Sequence, residues 1–329
     1  METAAKRTHY KQVDYLRGIA MCLVILCHSV IVYPINLCED YTWYLLHEFT
    51  RYMCMPMFFV VSGFCFGYKG HYGNYIWKKI QRVAIPHFVF GAIDLIPRII
   101  PNPLVHQQAD WRSALADFFL TGGSDWFLPT LFNIFLIFPL IHVVYQKGKG
   151  GKLVAYLAVA AIYLCQSELT ENFMIRMSAL NLLYFMAGYV TRQAFTKEKV
   201  QEALKSIPAM CLGAAIMLGM LFWMEHGSKW VGIESFGALG GTVFFYGIAC
   251  RVKGVLAKCL DEISKYSLQI FLMGGYALVF TRTLMVMVLG VQIPIVIILF
   301  NFFVDLLITW LMSRFILDRF KLFRMVSGL

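Results

Sequence analysis

DYLRGIAMCLVILCH, Asp14–His28, is an apolar run with an arginine and a histidine inside it. A cationic side chain near the centre of a spanning helix costs roughly 2.5–3.5 kcal/mol on insertion scales, so it persists where it has a role. The run predicts a membrane helix over 13–34, with Arg17 and His28 eleven residues apart. At about 100° per residue that spacing is three turns plus about 20°, which puts both side chains on one face, about 16 Å apart along the axis. An imidazole takes a proton from a hydroxyl near neutral pH, so His28 is the candidate general base. The plain alternative is an interhelical hydrogen-bonding histidine, but that role needs no cation three turns away. Arg17 suits a phosphate-bearing ligand held by paired hydrogen bonds; its plain alternative is an interfacial arginine paired to Asp14.

The rest of the chain has the same character. Of its 329 residues 59% are hydrophobic and 15% charged. A soluble domain carries about 25% charged residues, so the composition is that of a membrane protein. Ten spans are expected: about 13–34, 43–68, 80–98, 126–146, 152–167, 174–191, 207–224, 232–250, 266–288 and 291–313. With the N-terminus inside, 22 of the 29 Lys and Arg fall in inner segments and 5 in the outer half, leaving Arg17 and Arg282 within spans. That bias alternates loop by loop and argues for an even span count with both termini cytoplasmic. The formal charge of +10 is spread over these loop clusters and not gathered on one stripe, which argues against nucleic acid.

The N-terminal run is too long for a cleaved signal, so the first helix is expected to be retained. The nine cysteines form no C-x-x-C and no metal-like cluster. Those in apolar segments, Cys22, Cys27, Cys54, Cys65, Cys165, Cys211 and Cys250, read as small buried hydrophobes, with Cys38 in an outer loop. The longest connection, 99–125, falls outside. Pro97, Pro101 and Pro103 are expected to break the preceding helix, and Asp110 to cap a short interfacial one. A cytoplasmic tail, 314–329, follows the last span.

Other candidates lie near these spans. Lys79 and Arg82, at i and i+3, share a face at the inner edge of the third helix, as phosphate ligands or as an inner anchor. Ser62-Gly63 in the second helix reads as a close-packing pair, with a serine nucleophile as a weak alternative. Glu48 with Arg51, or Asp94, lies at a depth to orient His28. Asp305 and Arg282 read as paired structural charges.

Taken together these segments resemble the membrane-bound acyltransferase 3 family, bacterial integral-membrane enzymes that typically move acetyl or other short acyl groups from coenzyme A onto glycans. Arg17-x10-His28 is similar to that family's basic-residue-x10-His motif. FFVVSGF (Phe58–Phe64) resembles its F-F-x-x-S-G-F signature, and Trp126-Phe127-Leu128 its W-F-L motif. LYFMAGY (Leu183–Tyr189) and SLQIFL (Ser267–Leu272) resemble weaker downstream blocks. Two departures stand out: the family's R-x-x-R appears as Lys79-x-x-Arg82, and Leu272-Met273-Gly274 stands where many members carry a histidine. A fused extracytoplasmic hydrolase-like domain is absent, so the short, membrane-only form is expected, with one acyltransferase domain over 1–329.

The resemblance implies a multi-pass enzyme of the cell (inner or plasma) membrane, with no metal and no permanently bound cofactor. Acyl-CoA, acetyl-CoA above all, would be the donor and a glycan or other hydroxyl-bearing molecule the acceptor. His28 would be catalytic. Arg17, Lys79 and Arg82 would hold the donor, with Asp14, Glu48, Arg51, Ser62, Asp94 and Trp126 in support. The rival is a multi-pass transporter or flippase, although the paired repeats and broken helices of many carriers are not evident.

Overall fold

The computed structural model describes residues 9–31, 37–99, 110–123, 125–226 and 231–329. Within them it is all-helical, with no strand. In chain order the helices are α1 (Lys11–Val30), α2 (Tyr41–Phe64), α3 (Tyr72–Lys79), α4 (Ile85–Ile99), α5 (Trp111–Thr121), α6 (Phe127–Tyr145), α7 (Gly148–Leu164) and α8 (Ile175–Ala194). They continue as α9 (Glu198–Lys205), α10 (Ile207–His226), α11 (Val231–Ala249), α12 (Gly254–Lys265), α13 (Ser267–Arg282), α14 (Pro294–Met312) and α15 (Lys321–Val326).

Each of the ten apolar segments read from the sequence coincides with a helix. Among the described residues six helices have both the length and the apolar content to cross a membrane: Lys11–Val30, Phe127–Tyr145, Asn172–Ala194, Ile207–Met224, Ser267–Val288 and Pro294–Leu317. The others fall short for visible reasons. The first half of α2 carries His47, Glu48 and Arg51, and α7 has only 17 residues. Large apolar side chains such as Leu140, Leu157, Leu212, Phe222, Phe236 and Phe303 point out of the bundle, as they do when the surrounding solvent is lipid.

Several boundaries differ from expectation. The third segment begins at Tyr72, because α3 passes into α4 through a π turn over Ile80–Ala84. Pro86 has no N–H to return to the preceding turn, and a widened turn accommodates that gap without ending the helix. Position 97 does not end α4 either, which runs on to Ile99. Positions 32–34, Pro101, Pro103 and Lys229 lie outside the described residues. The short helix beyond them is present as α5, and the Asp110 side chain caps it by accepting from the Arg112 N–H at 3.2 Å. Asp305 and Arg282 do not form a hydrogen-bonded pair; Arg282 Nη1 donates to the Ile31 carbonyl at 3.1 Å. None of the nine cysteines is in a disulfide; Cys65, Cys165 and Cys211 are exposed and not buried, and Cys22 and Cys250 are half-buried.

Helix α1 is central, packed against α2, α11, α12, α13 and α14. The tightest crossing joins α2 to α8. A Cβ on Gly63 would stand on the Phe185 carbonyl, and one on Gly188 would stand on the Val60 carbonyl. The glycines of the Ser-Gly-Phe and Ala-Gly-Tyr blocks are therefore two halves of one backbone-to-backbone contact. Around it Phe59, Phe138, Phe185 and Tyr189 form a fully buried aromatic core.

The chain after α14 is not a loose tail. A π turn over Ser313–Leu317 leads to Asp318, which accepts from Tyr266 Oη at 2.9 Å and pairs with Lys265 at 3.6 Å and Arg324 at 3.5 Å. From there α15 folds back against α4 and its π turn.

Candidate active site

The residues Met21, Val24, Ile25 and His28 recur at helical spacing, so they form one stripe along α1. That stripe is a wall of a cavity of about 220 Å³ between α1, α4, α13 and α14. Phe90, Gly91 and Asp94 of α4 line it, as do Asp125, Asp305, Tyr276 and the Ile270–Leu272 segment. His28 is exposed, and it lines this cavity. Three carboxylates and an imidazole thus face one small space inside an apolar bundle. Tyr276 is held there by donating to the Phe90 carbonyl at 3.2 Å.

Of the residues picked as partners for His28, Asp94 is in the cavity and Glu48 is not. Glu48 accepts twice from Arg51, at 3.0 and 2.7 Å, and pairs with His47 Nδ1 at 3.3 Å. That network lies within the first half of α2, with Arg51 also donating to Tyr52 Oη at 2.7 Å. Ser62 sits beside the α2–α8 crossing and does not line the cavity. Trp126 is the residue before α6, and its carbonyl accepts from Thr130 Oγ1 at 2.7 Å; it borders Asp125 without lining the cavity.

Arg17 lies one turn from Met21, on the His28 stripe but beyond the cavity's end. Its guanidinium reaches Cys65 Sγ at 3.6 Å and Asp14 at 3.9 Å. Asp14 also pairs with His9 at 2.7 Å, beside a second cavity of about 160 Å³ that Arg192 lines. Lys79 rests on the Phe135 ring at 3.7 Å, and Arg82 is exposed on the π turn. All three cations stand at the same end of the bundle, the end opposite His28 along α1, but they are not gathered around one pocket.

Sequence reasoning missed an acidic group and a histidine, and read a second acidic group only as a structural charge. Asp125 Oδ2 meets His87 Nδ1 at 3.2 Å, and the buried His87 ring stacks on Phe118 of α5 at 5.1 Å. Phe118 fills the space that a side chain at Gly91 would need, so α5 is seated directly on the cavity's α4 wall. The other group is Asp305, only 2% exposed, whose Oδ1 has no hydrogen-bond partner among the described residues. Asn301, one turn earlier and 0% exposed, has neither side-chain atom paired. A buried polar atom left unpaired costs about 1–3 kcal/mol, so three on two residues of one stripe call for a functional reason. The signal was present in the sequence: Asn301, Asp305, Thr309 and Ser313 recur every four residues along an otherwise apolar helix.

Among the described residues no group of His, Cys, Asp and Glu is placed to hold a metal ion. A family model described as an acyltransferase domain matches residues 10–314, a stretch that takes in α1 to α14 and every cavity-lining residue. No curated protein and no solved structure matches the chain. That match, over nearly the whole chain, makes the protein a membrane acyltransferase: the chain belongs to the acyltransferase 3 family.

Proposed function

We propose that the protein moves an acetyl or other short acyl group from acyl-CoA to a hydroxyl of a cell-surface glycan or glycan precursor, with His28 as general base. The observation that carries this reading is the His28 ring opening into a cavity shared with Asp94, Asp125 and Asp305. The chain crosses the cell membrane ten times with both termini cytoplasmic, a topology supported by the alternation of basic loops. Acyl-CoA then approaches from the side of Arg17, Lys79 and Arg82, where guanidinium and ammonium groups suit its phosphates.

The chemistry follows from what lines the cavity. His28 takes the proton of the acceptor hydroxyl as the oxygen attacks the thioester carbonyl. The tetrahedral intermediate expels the CoA thiolate, and the imidazolium returns the proton to it. Transfer is direct in this scheme, since the cavity lining among the described residues offers no serine or cysteine as an acyl carrier. The carboxylates suit the hydroxyl groups of an acceptor, which donate to them. The apolar walls keep bulk water from the thioester.

Purified protein incubated with acetyl-CoA and a panel of glycans should release free CoA thiol only when an acceptor is present. Absence of any CoA release across glycans extracted from the host envelope would contradict the reading. Arg17→Ala should raise the KM for acetyl-CoA by about tenfold with kcat less affected, the pattern of a lost binding contact. An unchanged KM would remove Arg17 from the donor site.

Asp305 gives a second test. Asp305→Asn keeps the shape and removes the charge. It is expected to hold Tm within about 2 °C of wild type while transfer falls about tenfold or more. Full activity in that variant would assign Asp305 to packing alone.

A further inference from the structure

Residues Ser327, Gly328 and Leu329 leave α15 and enter the bundle between α4 and α13. Ser327 is 0% exposed, and Leu329 packs against the main apolar core. Gly328 adopts φ +78°, and a Cβ there would stand 2.7 Å from the Arg82 carbonyl, 3.0 Å from Leu268 and 3.1 Å from Pro86. The slot is thus so narrow that only glycine fits at its tightest point.

The position of this slot is informative. Along the third segment the order is Lys79, Arg82, then Pro86 at the slot, then Phe90 and Gly91 of the His28 cavity. Along α13 it is Leu268 and Gln269 at the slot, then Ile270 and Phe271 of the cavity. Along α1 it is Arg17, then Met21, where the cavity begins, then His28. The third segment carries all three levels, and the partial orders along α13 and α1 agree with it, so the slot lies at a level between the cations and the cavity.

Gln269 supplies an independent observation. It is 2% exposed, and its Nε2 donates to the Ser327 carbonyl at 2.8 Å. Its Oε1 is buried with no partner among the described residues. An amide group half satisfied by one peptide carbonyl is built to take an amide ligand on both sides: a carbonyl for its N–H and an N–H for its oxygen.

We propose that this slot is the passage by which the pantetheine arm of the acyl donor reaches the His28 cavity, and that residues 327–329 occupy it in competition with that arm. The proposal rests on the donor reading above. The pantetheine arm is a flexible chain with two amides, which match the chemistry of Gln269. A peptide tip stands in for it: the Ser327 carbonyl takes the place of one arm carbonyl, and an arm N–H completes Gln269 Oε1. Residues 327–329 can withdraw while the contacts of Asp318 with Tyr266, Lys265 and Arg324 stay in place.

The test is equilibrium binding of radiolabelled acetyl-CoA to the full chain in nanodiscs, comparing wild type with a variant lacking residues 327–329 and with Gly328→Ala. The deletion should lower Kd about tenfold, the ratio expected if the tip fills the slot about nine-tenths of the time. Gly328→Ala, which loosens the tip without removing it, should lower Kd in the same direction by a smaller factor. It also carries the test if the deletion variant does not fold. Wild-type binding with an equal or weaker Kd in the folded variants would overturn the competition. No binding of acetyl-CoA by any of the three would overturn the donor reading itself.

Discussion

Replacement of His28 by alanine should lower kcat for acyl transfer by about 10²- to 10⁴-fold, the usual contribution of a positioned general base. The KM for acetyl-CoA should stay close to that of wild type, because in the proposed reaction the imidazole meets the thioester end of the donor and not its phosphates. The protein should also fold normally. His28 faces a cavity, so truncation enlarges an existing space and does not open a new one in the packed core. His28→Gln separates two roles. An amide keeps much of the size and hydrogen-bonding capacity but cannot accept the proton at neutral pH. Glutamine should therefore be as inactive as alanine if His28 is the base. Activity retained in the glutamine variant would reduce His28 to an orienting group. The measurement is steady-state release of CoA thiol by purified variants, with monodispersity checked in parallel.

The second large effect lies far from the chemistry. Gly188→Val should prevent folding, because the new side chain would occupy the position of the Val60 carbonyl, and α2 could not approach α8. Overpacking a well-filled core costs about 1–3 kcal/mol even where side chains can yield, and here the obstacle is backbone on both sides. The same argument applies to Gly63 against Phe185, so Gly63→Val should fail in the same way. Size-exclusion chromatography of detergent-extracted protein checks this. A symmetric wild-type-like peak for either valine variant would mean that the two helices do not meet as described.

The contrast between these predictions shows what the sequence made legible. The Ser62-Gly63 pair read as a close-packing point, and it is one; its partner Gly188 sat in a block recognised separately, with nothing in the string to say that the two blocks touch. Helix positions were readable because apolar runs bounded by basic clusters are a long-range signal, renewed at every loop. The start of the third segment at Tyr72 and the passage of α4 through position 97 were not. A proline's effect depends on whether the helix can widen or its neighbours can hold it, and only the packed structure decides that.

The site divides in the same way. Periodicity put His28 and Arg17 on one face of α1, and the cavity follows that face from Met21 to His28. Asp94 was reachable from its depth in α4. Asp125 was not, because it comes from a loop whose docking is set by His87 and by Phe118 of α5, two contacts between segments distant in the chain. Asp305 was seen and read as a structural charge paired to Arg282. The two do interact through charge without a hydrogen bond, and the four-residue spacing with Asn301 adds what that reading left out, a polar stripe along α14. The tail was the largest omission. A basic segment after the last span looks like any positive-inside anchor until Gln269, Pro86 and Leu268 are seen around Gly328.

The central claim is that the donor's thioester meets His28 inside the bundle, reached from the end that carries Arg17 and Arg82. A cryo-EM structure of the protein with bound acetyl-CoA tests it most directly. The account predicts the adenosine phosphates beside Arg17 and Arg82, and the thioester in the cavity within hydrogen-bonding reach of the imidazole by way of the acceptor oxygen. Acetyl-CoA bound with its thioester outside the cavity walled by α1, α4 and α13, or with its phosphates at the His28 end, would contradict it.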